Sequence, residues 1–234
     1  MIEIGFKKIE LEDKDLITHY FKHHTSRSCE RTFVNVYLWA RFYHVKFAEV
    51  EHTLVFRTED EDGFSFAYPA GEPENVRKAL DVLMVYSKER GVPFLMYTVT
   101  PDNFEYLEKW YPGRFEIEYV EGDADYVYES EKLATLSGKK LHSKRNHVNK
   151  FKIVYADRWS YEPISEDNLE ECVQTGLKWR NENGCEEDEE KNAELCVTLN
   201  SLRLFKELDL VGGALRVDGK IIAFTIGEPL SEDT

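Results

Sequence analysis

A repeated order of predicted elements constrains the fold of this chain more than any other feature. The first copy reads β-α-α-β-β-β-α-β-α-β-β over about 130 residues, judged from hydrophobic periodicity and from helix and turn signals. After a basic helix, β-α-α-β-β begins again and stops at Ser231–Thr234. We therefore predict an α/β protein (α+β, with mixed sheets) of two similar units in tandem, residues 1–130 and 131–234, the second incomplete in this chain.

Turn and cap residues set most of the predicted boundaries. In the first copy the predicted elements are a strand at 4–11, a helix from Asp13 through His24, a helix at Arg31–Tyr43, strands at Val45–Val50, Leu54–Thr58 and Phe64–Tyr68 (the last after an Asp62-Gly63 turn), a helix from Pro73 to Arg90 that ends on Gly91, a strand at Phe94–Val99, a helix from Pro101 to Pro112-Gly113, and strands at Phe115–Val120 and Tyr126–Glu129.

The second copy is predicted from the same signals. Its elements are a strand within Ile153–Ile164, a helix capped by Ser165 that ends at Asn183-Gly184, a helix at Glu189–Leu208, and a hairpin over 213–227 whose turn is Asp218-Gly219. A final strand pair leaves an open apolar edge near Ile222, Phe224 and Ile226, which folded proteins avoid. We therefore expect the natural protein to continue past Thr234.

Composition excludes several classes of protein. The 234 residues are 42% hydrophobic and 13% aromatic, too apolar for a disordered chain. No run approaches eighteen apolar residues and the first residues lack an apolar signal region, so we predict a cytoplasmic protein without a transmembrane segment. The excess of 45 Asp+Glu over 30 Lys+Arg, a net charge of −15, argues against unspecific binding to nucleic acid.

Neither the cysteines nor the histidines form an obvious metal-binding set. Four cysteines (29, 172, 185 and 196) are far apart and form no CxxC pair, which fits free thiols in a reducing compartment. His19 and His23 stand four residues apart with Cys29 nearby, but no further ligand is obvious. We therefore predict no metal site.

One segment reverses the charge of the chain. Residues 137–152 hold five lysines (139, 140, 144, 150 and 152) and Arg145 without any carboxylate, a local charge of +6. Such a cluster attracts phosphate, nucleic acid or lipid headgroups. The alternative is a solvated helix that packs through a stripe of Leu141, Lys144, Val148 and Phe151.

The element order and several segments of the sequence resemble two known families. The element order, with the hairpin Leu215–Phe224, resembles the GNAT acyltransferase fold. Tyr126–Tyr128, the segment Leu136–Phe151 and the later Gly212–Lys220 together resemble bacterial proteins related to the C-terminal catalytic domain of phosphatidylglycerol lysyltransferases. This resemblance covers essentially the whole chain. It implies two GNAT-like domains in tandem and transfer of an aminoacyl group from tRNA to a lipid headgroup, whereas the membrane domain of those enzymes has no counterpart here.

The implied chemistry assigns roles to the basic segment. An aminoacyl ester is already activated, so the acceptor needs alignment and the developing oxyanion needs stabilisation. The candidate catalytic residues are Lys144, Arg145 and His142, and the candidate substrate-binding residues are Asn146, Asn149, His147 and Lys140. Either histidine could act as a general base or have a structural role. The donor would be aminoacyl-tRNA, in weak, local and salt-sensitive contact, and the acceptor a small molecule or a lipid headgroup.

Two other functions stay open. An acyl-CoA-dependent N-acetyltransferase would hold the pyrophosphate at the start of the helix after the fourth strand. In the first copy this place is 68–74, with a single glycine, no basic residue and a proline that removes a donor, so we predict that the first domain does not bind CoA. The third possibility is a non-catalytic binding or regulatory module on a degenerate scaffold.

Overall fold

The structure is a computed structural model with two compact units. It describes residues 1–22, 26–61, 63–184 and 188–234, with the backbone alone at Asp123. The first unit comprises Met1–Tyr119 and Pro229–Thr234, and the second comprises Val120–Glu228.

The first unit is built on a mixed five-stranded sheet. Its elements are β1 (Lys7–Lys8), α1 (Lys14–Phe21), α2 (Phe33–Trp39), β2 (Lys46–Val50), β3 (Thr53–Asp60), β4 (Gly63–Ala67), α3 (Pro73–Arg90), β5 (Met96–Tyr97) and α4 (Pro101–Trp110). The strands lie in the order β1-β2-β3-β4-β5. Only β4 and β5 among them are parallel.

Helix α3 supplies much of the core of the first unit. Pro73 stands in its first turn and Gly91, at φ 69°, ends it in the left-handed region. Val76, Ala79, Leu80 and Leu83 follow helical spacing and are all buried. They pack in two clusters with apolar residues of the sheet and of α4, including Phe66 of β4. These contacts confirm the predicted helix from Pro73 to Arg90.

The second unit has a three-stranded antiparallel sheet. Its elements are α5 (Ser130–Thr135), α6 (His142–Tyr155), β6 (Trp159–Pro163), α7 (Leu169–Glu182), α8 (Glu189–Arg203), β7 (Val211–Val217) and β8 (Lys220–Gly227). The strand order is β6-β7-β8. Asp218 (φ 49°) and Gly219 (φ 78°) form the predicted tight turn between β7 and β8.

The two units share an element order. In the first, β1-α1-α2-β2-β3 places three antiparallel neighbours in one sheet. In the second, β6-α7-α8-β7-β8 does the same. The predicted class, a mixed α/β protein with a mixed sheet, is confirmed.

Two predicted strands are wrong. Residues 115–120 and 124–129 have no strand structure, and a short 3-10 turn at Glu121–Asp123 joins them. Their alternating sequence favours a strand, but a strand needs a ladder partner and these residues have none among the described ones. Most of their apolar side chains are consequently open to solvent, with Tyr119 at 80% and Tyr126 at 88% exposure, whereas Phe115 packs against the core.

Other boundaries differ for local reasons. The predicted strands at 4–11 and 94–99 are reduced to β1 and β5, since only those residues pair with a neighbour. The second helix of the first unit is shorter than predicted, and α8 ends at Arg203 rather than Leu208. Asn168, not Ser165, is the N-cap residue of α7. The predicted end of α1 at His24, the turn residue Asp62 and Cys185 lie outside the described residues.

Strand β8 lies at the edge of its sheet. Ile221 points into the core with Cys172 and Leu202. Ile222 is 46% exposed, and Phe224 and Ile226 are half-buried. Phe224 and Ile226 pack against this core cluster, so of the three residues expected at an open edge only Ile222 is exposed.

Candidate functional site

The basic segment forms a loop followed by helix α6. Helix α5 ends at Thr135; its C-cap residue Leu136 has a φ of 52°, in the left-handed region, and Gly138 follows at φ 90°. The amide of His142 donates to the carbonyl of Lys139 over 3.2 Å as α6 begins. No acidic residue occupies the first turn of α6, so no carboxylate of that turn offsets the positive end of the helix dipole.

Arg145 joins this loop to the helix. Its Nη1 donates to the carbonyl of Leu136, and its Nη2 lies 3.2 Å from Nδ1 of His142. Arg145 as a whole is half-buried. Arg145 thus holds the loop closed and fixes one edge of the imidazole.

The partners of His142 determine its tautomer. Its Nε2 lies 3.2 Å from the side-chain amide of Asn146. Arg145 can only donate, so Nδ1 is the acceptor, and a neutral imidazole then carries its proton on Nε2. Nδ2 of Asn146 is the atom at that distance, and only an amide rotated by 180° would present its oxygen to the Nε2 proton. In this arrangement His142 is an oriented hydrogen-bonding residue, because its only lone pair is occupied.

Helical spacing divides the predicted site residues between two faces. At about 100° per residue, Asn146 and Asn149 lie within about 40° of His142, with Arg145 beside them. We call His142, Arg145, Asn146 and Asn149 the polar face of α6. Lys144 lies on the opposite side of the helix, about 160° from His142 and about 60° from His147. The structure therefore brings Arg145, His142 and Asn146 together and separates Lys144 from them.

Within the described residues, the lysines of the segment are exposed and have no side-chain partner. Within the described part of the chain Lys139, Lys140, Lys144, Lys150 and Lys152 make no ion pair or hydrogen bond through their side chains. The ring of His147 and the amide of Asn149 are likewise exposed and without a side-chain partner there. The positive charge of the five lysines is accordingly available to an anion in solution.

The predicted core stripe of this helix is wrong. No residue of α6 is buried: Lys144 and Val148 are exposed, and Leu141 and Phe151 are only half-buried. The contacts of the helix lie at its C-terminal end instead: Phe151 packs against Tyr155 of the same helix and against Trp159 of β6, with ring centroids 4.8 and 5.9 Å apart. Arg158 adds a hydrogen bond to the carbonyl of Val154. Most of the helix surface is left in solvent.

A second charged cluster in the same unit was missed by the sequence analysis. Arg216 of β7 donates to Oε1 of Glu162 over 2.6 Å and to both oxygens of Glu171, at 2.6 and 2.9 Å. The hydrogen bonds with Arg216 lower the pKa values of both glutamates. The same bonds raise the pKa of Arg216, and the bond with Glu162 has the larger effect. All three charges are satisfied, so this cluster fastens β6, β7 and α7. The sequence signal for this cluster is the pair of opposite charges, Glu162 on β6 and Arg216 on β7. The sequence does not give the register of the two strands, so the pairing could not be predicted.

The first unit offers no obvious phosphate cradle in its predicted donor segment. Glu72 caps α3 and Glu74 stands in its first turn, so two acids occupy the end where an anion would sit. Gly71 packs closely, since a Cβ there would lie 2.9 Å from the Thr53 side chain.

Metal and membrane features were searched among the described residues. His23 lies outside them, and the described part of the chain holds no group of three His, Cys, Asp or Glu side chains placed to bind a metal ion. No helix in that part is both long and apolar enough to cross a bilayer.

A family comparison agrees with the predicted resemblance. The family model described as "Phosphatidylglycerol lysyltransferase, C-terminal" matches residues 21–234. The chain belongs to this family. Among curated relatives, an uncharacterised protein of Mycoplasmoides gallisepticum is 29% identical over 124 residues, 53% of this chain and 40% of the relative. The chain thus matches less than half the length of that relative.

Two solved structures share the fold of this family member. A conserved protein of unknown function from Bacteroides thetaiotaomicron is 34% identical, with a TM-score of 0.88 over 98% of this chain and 77% of that chain. The C-terminal domain of a "Putative Lysylphosphatidylglycerol Synthetase" from Agrobacterium fabrum is 14% identical, with a TM-score of 0.52 over 92% and 63% of the two chains. The second likeness concerns the fold alone.

Proposed function

We propose that this protein takes part in aminoacyl transfer from aminoacyl-tRNA to the amine or hydroxyl of a small or lipid acceptor. The observation that carries the proposal is the exposed, unneutralised cationic surface of α6 in a chain of the phosphatidylglycerol lysyltransferase C-terminal family. Phosphate groups occur both in the tRNA and in a phospholipid headgroup, and isolated lysines bind them as point charges.

The residues of the loop and of α6 would have different roles. Lys140 and Lys144 would bind phosphate, and Arg145 would position His142 and the loop rather than contact substrate. In the transfer, the acceptor oxygen or nitrogen bonds to the ester carbonyl carbon, the bond from that carbon to the ribose oxygen breaks, and the acceptor proton ends on the ribose oxygen. His147 is exposed and unpaired within the described residues, so it is better placed than His142 to relay that proton.

The proposal also includes the domain organisation of the protein. We infer two GNAT-like units in tandem, residues 1–130 and 131–234, of which the first does not bind CoA. The shared β-α-α-β-β order supports the repeat. Glu72 and Glu74 at the start of α3 support the absence of a pyrophosphate site in the first unit.

A transfer assay tests the catalytic proposal. The intact gene product is incubated with radiolabelled lysyl-tRNA and phosphatidylglycerol vesicles, and labelled lipid is counted. We expect a variant with both Lys144→Ala and Arg145→Ala to lose transfer while keeping its circular dichroism spectrum. Lys178→Ala is the matched control, since Lys178 is an exposed helical lysine of the same unit. Unchanged transfer in the double variant would show that Lys144 and Arg145 are not part of the active site. Label taken from acetyl-CoA instead would identify an acetyltransferase, and binding without turnover would identify a non-catalytic module.

Salt dependence tests the phosphate contact separately. Each phosphate contact changes the slope of log affinity against log salt by about 0.7–0.9. Lys144→Ala should therefore reduce the slope for tRNA by about that amount, measured by filter binding. Binding that does not respond to salt would contradict a phosphate-binding role for α6.

A further inference from the structure

An open cleft lies between helices α3 and α4 of the first unit. Its volume is about 660 Å³, within the range of about 300–1,000 Å³ that is typical of small-molecule sites. Each wall is a stripe at helical spacing, with Glu74, Arg77 and Asp81 on α3 and Tyr106 and Trp110 on α4. Helix α3 therefore brings charged groups to the cleft, and α4 brings aromatic rings.

Tyr111 connects the end of α4 to α3 beside this cleft. Its ring is buried and packs in one cluster with Leu80 and Leu107. Its hydroxyl lies 2.8 Å from Oδ1 of Asp81 and 3.1 Å from the main-chain carbonyl of Arg77, and it donates to α3 there. Oδ2 of Asp81 has no partner among the described residues. One oxygen of this carboxylate is thus held in place, and the other is open to a ligand.

Within the described residues, opposite charges of α3 stand one turn apart along the cleft without pairing. Arg77 stands four residues before Asp81, the spacing at which helical ion pairs form. Glu74 stands in the same relation to Lys78. Neither pair is closed, and the side chains of Glu74, Arg77 and Lys78 make no hydrogen bond or ion pair in the part of the chain that the structure describes. A ligand can therefore meet a cation and a carboxylate without breaking an existing ion pair.

The wall of the cleft on α4 is an aromatic surface. The ring centroids of Tyr106 and Trp110 lie 5.2 Å apart, with the ring planes tilted by 32°. Tyr106 is 40% exposed, and Trp110 is half-buried against the core of the unit. Two adjoining rings at an open cleft present apolar area that a further aromatic ring would remove from water.

We infer that this cleft binds a free α-amino acid with an aromatic side chain. Arg77 binds the carboxylate, Asp81 binds the ammonium group, and the ring of the ligand packs on Tyr106 and Trp110. A guanidinium fork matches a carboxylate, and a carboxylate accepts hydrogen bonds from an ammonium group. Both charged groups of an α-amino acid are attached to one carbon atom. Since Arg77 and Asp81 stand one turn apart, with about 5–6 Å between their Cβ atoms, they can engage both groups at once.

The balance of charge in the cleft favours a zwitterion over an anion. The charged lining side chains are three cations and two carboxylates, namely Arg77, Lys78, Lys109, Glu74 and Asp81. A phosphate dianion would be repelled by both carboxylates, and a polycation by all three cations, whereas an α-amino acid carries one charge of each sign. The cleft belongs to the first unit and requires no transfer reaction, so the inference goes beyond the proposed function.

Calorimetric titration of the full chain with L-phenylalanine, L-tyrosine and L-tryptophan tests this site. We expect saturable binding of at least one of them. Three analogues of L-phenylalanine separate the contacts on the wild-type protein, since 3-phenylpropanoate lacks the ammonium group, phenethylamine lacks the carboxylate and L-alanine lacks the ring. Each analogue should bind about tenfold more weakly or worse, the effect of losing hydrogen bonds to a charged group or the burial of a ring.

Variants of the lining residues test the assignment of each contact. Arg77→Met and Asp81→Asn should each weaken binding of the aromatic amino acid about tenfold or more. Asp81→Asn keeps a side-chain oxygen that can accept from the Tyr111 hydroxyl. Tyr106→Leu should weaken binding about two- to tenfold, the effect of one aromatic pair. Lys88→Met is the matched control, because Lys88 is an exposed cation of α3 outside the cleft, and its affinity should equal that of the wild type.

Each remaining outcome decides against the site. A wild-type protein that binds none of the three aromatic amino acids has no such site. Binding of 3-phenylpropanoate as tight as that of L-phenylalanine removes the role of Asp81, and tighter binding of adenosine monophosphate identifies an anion site instead. Wild-type affinity in both Arg77→Met and Asp81→Asn places the ligand elsewhere. If either variant does not fold, as judged by circular dichroism, the analogues decide on the wild-type protein. None of these measurements depends on transferase activity.

Discussion

Replacing Arg145 with lysine keeps the charge of α6 but removes the guanidinium fork. Two hydrogen bonds are lost, one to the Leu136 carbonyl and one to His142. Each contributes about 0.5–1.5 kcal/mol, and Leu136 keeps a left-handed backbone that costs about 1–2 kcal/mol without this support. The loop over 136–141 should therefore open more easily by about 1.4–2.8 kcal/mol, which is about a 10- to 100-fold rise in the open population.

Amide hydrogen exchange measures this opening directly. The amide of His142, which donates to the Lys139 carbonyl, should exchange about 10- to 100-fold faster in Arg145→Lys. Lys144→Arg is the matched control, because Lys144 has no partner among the described residues and its exchange pattern should not change. Equal exchange rates in Arg145→Lys and wild type would refute the view that Arg145 holds the loop.

Two further predictions concern the second unit. A Cβ on Gly212 would lie 2.5 Å from the carbonyl oxygen of Thr225 on the paired strand, so Gly212→Ala should lower the free energy of unfolding by about 1–3 kcal/mol in urea titrations. Gly227→Ala, which meets nothing within 4 Å, should not, and equal losses would contradict the steric argument. The lowered pKa values of the two glutamates that bind Arg216 give stability that is present above about pH 4.3 and is lost as pH falls through the folded pKa values. Urea midpoints of wild type should fall over this acid range more steeply than those of Arg216→Met, and parallel curves would contradict the linkage.

Local chemistry explains which elements could be predicted. The hairpin of β7 and β8 follows from Asp218-Gly219, and α3 follows from Pro73 and Gly91, since these residues fix the backbone on their own. The alternating residues 115–120 carry an equally clear strand pattern and form none. A strand is completed by a partner that is distant in sequence, and alternation gives no information about whether that partner is present.

In the candidate site, too, the features that single residues determine could be predicted, and those that depend on distant contacts could not. The charge block at 137–152 is visible in the sequence because charge is a property of each residue. The pairing of Arg145 with His142 could not be predicted, since it requires the left-handed turn at Leu136, a residue type that rarely adopts it. The cleft between α3 and α4 was equally hidden, because it depends on how the two helices pack.

The distribution of ion pairs explains how an acidic chain keeps a basic site. Carboxylates outnumber cations, yet they pair with cations elsewhere, as in Arg57 with Glu59, Arg216 with Glu162 and Lys206 with Glu166. No carboxylate lies within residues 137–152, so the lysines there keep their full charge. Beyond a Debye length of about 8 Å, physiological salt screens the rest of the chain, and an approaching phosphate group responds mainly to the local +6. The net charge of −15 therefore opposes long-range attraction of polyanions and leaves short-range binding at α6 intact.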